Sequence, residues 1–172
     1  RLHSSTPRNS HVLKMLNNIY QQQHDWEALS ELLPQLKRQK VFKDEQLKGL
    51  ERQVYMGLLN DTLTELPVDS TDKSRQQILS RTWKSVPKEM TQDATLAANY
   101  ARLLDSTGGA DQPEVLIRET IKQSWDEQLA KLYGQVASSN PGRQLKVAES
   151  WQTRYPDSAV VLLTLGRLSL LN

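Results

Sequence analysis

The chain has 172 residues, enough for a domain with a real core, and no cysteine, which excludes disulfides, iron–sulfur ligation, thiol catalysis and covalent c-type haem attachment. Twenty acidic residues nearly balance 22 basic ones, for a net charge of +2, without the basic excess of a nucleic-acid binder. No stretch approaches the roughly 18 consecutive apolar residues of a membrane span, and no signal-peptide pattern opens the chain.

Residues 1–9 read as a linker or frayed end, and helical periodicity starts at Ser10, a candidate N-cap. Val12, Leu13, Leu16, Ile19 and Tyr20 recur at spacings of three and four. A turn around His24 leads to a second helix carrying Trp26, Leu29, Leu32, Leu33 and Leu36, with Asp25 as its cap. Pro34 lies inside this pattern and should kink it. The basic cluster Lys37, Arg38, Gln39 and Lys40 falls at its end, where cations complement the helix dipole.

A third helix spans 44–60, with Leu47, Leu50, Val54, Leu58 and Leu59 inward, followed by a break over 61–73 around Pro67. A fourth spans 74–85 with Ile78, Leu79 and Trp83, and Pro87 ends it. The fifth, 92–106, carries Leu96, Ala97, Tyr100, Ala101 and Leu104, and Gly108 and Gly109 stop it. The sixth begins near Pro113. The seventh covers 126–138, the eighth 143–154 after Asn140-Pro141-Gly142, and the ninth 158–171 is apolar almost all round. No alternating strand pattern of useful length occurs.

The same apolar offsets recur after Pro7 (Leu13, Leu16, Asn17, Tyr20) and after Pro156 (Leu162, Leu165, Gly166). Tyr133-Gly134 with Ala137, and Ala97, Tyr100, Ala101 and Leu104, fit further copies. This pattern resembles the tetratricopeptide repeat, in which a small residue lets the two helices of a hairpin approach and an aromatic opens the second helix. The resemblance implies an all-α, right-handed solenoid of antiparallel helical hairpins over 10–172, irregular between residues 44 and 90. A single helical bundle is the alternative.

The strings DWEALSELLPQL, ARLLDSTGG, WDEQLAKLYGQV and RYPDSAVVLLTLGRLSL resemble, more narrowly, the repeat region of the gammaproteobacterial HemY family. That resemblance implies a soluble piece of a longer, inner-membrane-anchored protein with its repeats on the cytoplasmic side. It also implies association with a late step of haem (protoporphyrin) biosynthesis and with other proteins of that pathway. The expected role is a non-catalytic protein–protein interaction scaffold; the alternative is a porphyrin- or haem-binding carrier.

On the repeat register the concave face carries Lys14 and Asn18, then Ala98 and Arg102, then Lys131, then Arg167, a modest basic lining suited to carboxylates of an extended peptide. His3, His11 and His24 are the only histidines and lack metal-ligand spacing, so neither a metal nor a cofactor is expected, and His11 is a poor candidate for a haem ligand. No phosphate loop, nucleophile elbow or paired carboxylates suggest an enzyme; Glu45 is placed to pair with Lys48. Trp26, Trp83 and Trp151 are expected in the core, and Trp125 as a staple beside Asp126. The last helix holds more Val and Leu than one neighbouring hairpin can cover, a possible surface for homodimers.

Overall fold

The computed structural model describes residues 7–109 and 111–171, and among them every regular element is helical. In chain order these are α1 (Pro7–Gln23), α2 (Trp26–Arg38), α3 (Asp44–Thr64), α4 (Asp72–Ser85), a 3-10 turn at Met90–Gln92, α5 (Ala94–Ser106), α6 (Gln112–Gln123), α7 (Glu127–Tyr133), α8 (Pro141–Arg154) and α9 (Ala159–Leu170). His3 lies outside the described residues. The chain divides into two compact units between Thr64 and Glu65.

Helix starts follow local chemistry. Asp25, Thr71, Asp93, Asp126, Asn140 and Ser158 each accept a hydrogen bond from the amide three residues on, satisfying a donor that no helical carbonyl can reach. Ser10 is not among these caps, because α1 already runs from Pro7. Helix ends share a second device. After α1, α2 and α5, His24 (φ 55°), Lys40 (φ 49°) and Gly108 (φ 69°) take left-handed backbone. In each case the next amide reaches back five residues, Asp25 to Tyr20, Val41 to Leu36 and Gly109 to Leu104.

In the first unit α2 packs on α1 and on α3. Leu13, Leu29, Leu32, Leu33, Leu36, Leu47, Leu50 and Val54 form its core. Val12 and Ile19, expected on the inner face of α1, are exposed with Met15; the buried line is Leu13 and Asn17. One residue of rotation separates the two stripes, and the packing against α2 selects between them. Helix α2 runs through Pro34, which sits on its exposed side where the missing amide faces water. Trp26, expected in the core, is half-buried and lies over Gly57 of α3, where an added Cβ would overlap the indole.

In the second unit α5 and α6 share the most extensive contact, α7 lies against both, and α9 lies against α7 and α8. The core runs through Ala97, Ala101, Ile117, Ile121, Leu129, Ala130, Tyr133, Ala148, Trp151, Val161 and Leu168. Gly134 and Thr164 bring α7 and α9 together: the Thr164 hydroxyl donates to the Ala130 carbonyl at 2.9 Å, and a Cβ at Gly134 would sit 3.0 Å from the Thr164 methyl. Gly166, which the repeat register makes a close-approach glycine, has nothing within 4 Å of its Cβ direction.

Helix α7 stops at Tyr133, five residues short of its expected end. The buried Gln144 amide of α8 donates to the Tyr133 carbonyl at 2.7 Å and the Val136 carbonyl at 3.1 Å, supplying the partners that continued helix would have supplied. Helix α3 is longer than its periodicity suggests, continuing to Thr64. Trp83, also expected in the core, is half-buried and stacks on Tyr100 at 4.3 Å between centroids.

The Trp26–Gly57 contact yields a direct check. Gly57→Ala is expected to destabilise the first unit by about 1–3 kcal/mol, the usual cost of forcing a packed side chain aside, while Gly49→Ala, with nothing within 4 Å, should not; chemical denaturation of both variants measures this.

Candidate functional site

A groove of about 380 Å³ lies between α1 and α3, and five of its seven lining residues are carboxamides: Asn17, Asn18, Gln21, Gln46 and Gln53. Phe42 and Leu50 complete it. Asn17 is 3% exposed, and its Oδ1 has no hydrogen-bond partner; its Nδ2 makes only a long bond of 3.4 Å to Asn18 Oδ1. A buried, unpaired amide oxygen costs on the order of 1–3 kcal/mol. Neutral side chains that both donate and accept match the N–H and C=O of a peptide backbone.

The basic residues expected on a concave face are distributed over the two units. Lys14 and Asn18 are exposed on α1; of the two, Asn18 lines the groove. Arg102 on α5 and Lys131 on α7 are exposed, and Arg167 on α9 is half-buried with Nη1 enclosed and unpaired. Ala98, placed on the same face by the register, is 2% exposed and belongs to the core. Gln46 and Gln53 carry no signal in the sequence, because they look like ordinary solvated helix surface until packing brings them to the groove.

A buried polar cluster joins α6 to α7. Glu114, 5% exposed, accepts from Arg118 Nε at 3.0 Å and from the Tyr133 hydroxyl at 2.6 Å. Arg118 also donates to Glu119 at 2.6 Å, and Lys122 to the same carboxylate at 2.9 Å. Burial, and then the hydrogen bond and charge of Glu114, push the Tyr133 phenol far above its ordinary value. At the start of α6 the Ser139 hydroxyl and amide hold the Asp111 carboxyl below the usual range. Glu45 and Lys48 make no ion pair among the described residues.

The remaining candidates stand apart from any cluster. His11 is exposed, and His24 sits in its left-handed turn with its ring edge on Trp26 at 5.4 Å. Among the described residues no group of three or more His, Asp or Glu is placed to hold a metal ion. Trp151 is buried against Tyr133 at 4.8 Å, and Trp125, expected to staple α7, stacks on Tyr155 at 4.0 Å. Among the described residues no helix is long and apolar enough to cross a membrane.

Among the described residues the protein is all-helical, and its candidate site is a polar, carboxamide-lined groove. No family model matches the chain, and no solved structure does. Over 162 residues, 94% of this chain, it is 22% identical to Protein HemY of Escherichia coli K12, and equally so to Protein HemY of Escherichia coli O157:H7 and of Shigella flexneri. The chain spans 39% of the length of these relatives.

Two outcomes follow from these clusters. The unfolded chain gives up a tyrosine proton near pH 10.0, whereas native Tyr133 keeps its proton well above that. Its contribution is therefore complete below pH 10 and declines as pH rises further, and Tyr133→Phe should flatten that alkaline loss while costing about 1.5–3 kcal/mol at neutral pH through the lost bond to Glu114. Melts of both proteins between pH 7 and 11 test it. Asn17→Leu, which removes an unpaired buried amide, is expected to leave stability unchanged or raise it by about 1 kcal/mol; a loss of several kcal/mol would mean the amide is held by the fold.

Proposed function

We propose that the chain is a non-catalytic protein–protein interaction scaffold built of tetratricopeptide-like helical hairpins. The observation that carries this reading is the carboxamide groove between α1 and α3, where Asn17 holds a buried acceptor with no partner in the fold. An acceptor kept at a cost in stability is suited to a backbone amide arriving from outside. Asp25 and Trp26 opening α2 support the hairpin-repeat reading.

The likeness to HemY supports association with haem biosynthesis, and so a partner among the proteins of that pathway. By the same likeness the full-length protein is anchored in the inner membrane with this part on the cytoplasmic side. Lys14, Asn18, Arg102, Lys131 and Arg167 then belong to the partner-binding surfaces of their respective units. Leu162, Leu163 and Leu170, 50%, 46% and 89% exposed on α9, together with Leu171 just past its end, offer a surface for self-association.

Affinity capture of membrane-extract proteins on the immobilised chain tests the scaffold. Wild type is expected to retain a defined partner, and Asn17→Leu, Asn18→Ala and Lys14→Glu to lose it while keeping their melts. Equal retention by all variants removes the groove from the reading. Titration with haem separates scaffold from carrier: a stoichiometric shift of the Soret band would favour the carrier.

A further inference from the structure

Between Lys73 and Lys88 the chain holds five cations, Lys73, Arg75, Arg81, Lys84 and Lys88, and no Asp or Glu, although its overall charge is only +2. The fold turns this run into a groove of about 580 Å³ lined by α4 and by Gln112 at the start of α6. Lys73, Arg81 and Lys84 line it, no carboxylate does, and none of the three makes an ion pair among the described residues. Arg75 is turned elsewhere and donates to the Val68 carbonyl at 3.2 Å. One wall is fixed by Gln76, whose amide donates to the Thr107 carbonyl at 2.6 Å.

Lys73, Gln77, Arg81 and Lys84 recur at spacings of four, four and three, so they share one face of α4. From Lys73 to Lys84 that face rises about 16 Å, the reach of roughly five residues of extended chain. The cations are spaced to meet carboxylates, and the Gln77, Gln112 and Ser80 side chains between them donate and accept as peptide groups do. No aromatic ring lines the groove to stack a base, and no apolar side chain lines it to enter a bilayer.

We propose that the α4 groove is a docking site for an acidic, extended segment of a protein partner. The proposal rests on the scaffold reading for its partner class but uses a surface separate from the α1–α3 groove.

The test is fluorescence anisotropy of a labelled hexaglutamate peptide with the 172-residue chain, against a neutral glycine–serine peptide, a single-stranded oligouridylate and phosphatidylserine vesicles. Hexaglutamate is expected to bind, more weakly as salt rises, and to lose at least about tenfold in affinity on Lys73→Gln/Arg81→Gln/Lys84→Gln. These three side chains are exposed, so the variant should melt as wild type does. Arg102→Gln/Lys131→Gln should change binding by less than about twofold. Absence of hexaglutamate binding, retention by the triple variant, or loss only in the Arg102/Lys131 variant would overturn the proposal. So would stronger binding of the oligonucleotide or vesicles through the same three cations. Partner capture by the triple variant at wild-type level, with hexaglutamate unbound, would sink the α4 groove and leave the scaffold standing.

Discussion

A carboxylate 5% exposed is tolerable only when its charge and lone pairs are met, and Glu114 meets that demand with groups from two helices. Arg118, one turn on in α6, supplies the opposite charge; Tyr133, at the last turn of α7, supplies a hydroxyl. The Tyr133 ring then packs on Trp151 of α8, its carbonyl accepts from Gln144, and the next residue, Gly134, meets α9. Tyr133 thus joins three helices of the second unit, with its neighbour Gly134 reaching α9, and the buried charge penalises any other arrangement of α6 and α7.

The first unit is organised differently. Its contacts are almost wholly apolar, with leucines of α1, α2 and α3 interdigitating, so the exception carries weight. Asn17 occupies a place on the α1 stripe that packing alone would give to an apolar or small residue, and its oxygen is left unmet. In the second unit the buried polar side chains Glu114, Gln144 and Thr164 all find partners inside the fold. Among the described residues Asn17 Oδ1, Gln39 Oε1 and Arg167 Nη1 are the buried polar atoms left unmet, and of these Asn17 lies in the α1–α3 groove. The cations of α4 are the corresponding unspent charge.

Much of the helical layout could be read from spacing. The start of α2 and the stops at Pro87 and Gly108 follow from short-range chemistry, in which a side chain satisfies or removes a backbone group within four residues of itself. Errors cluster where a distant residue intervenes. The 3.6-residue period offered two adjacent apolar stripes on α1, and only the position of α2 decides that Val12, Met15 and Ile19 stay in water. Gln144 ends α7 from eleven residues away, and the Trp26 ring rests on a glycine thirty-one positions later.

Binding surfaces show the same division. The amino-acid sequence by itself determined a chain of capped helices with Lys14, Asn18, Arg102 and Lys131 on exposed helix faces, because periodicity and capping act within a turn or two. Tertiary structure alone decided which polar residues face one another. Gln46 and Gln53 line one groove with Asn17 only through the packing of α1, α2 and α3, and Gln112 joins the cations of α4 only when α6 starts beside them. Hydrogen bonds and charges converge in space at distances that no helical period encodes, so a groove is a property of the packing between helices.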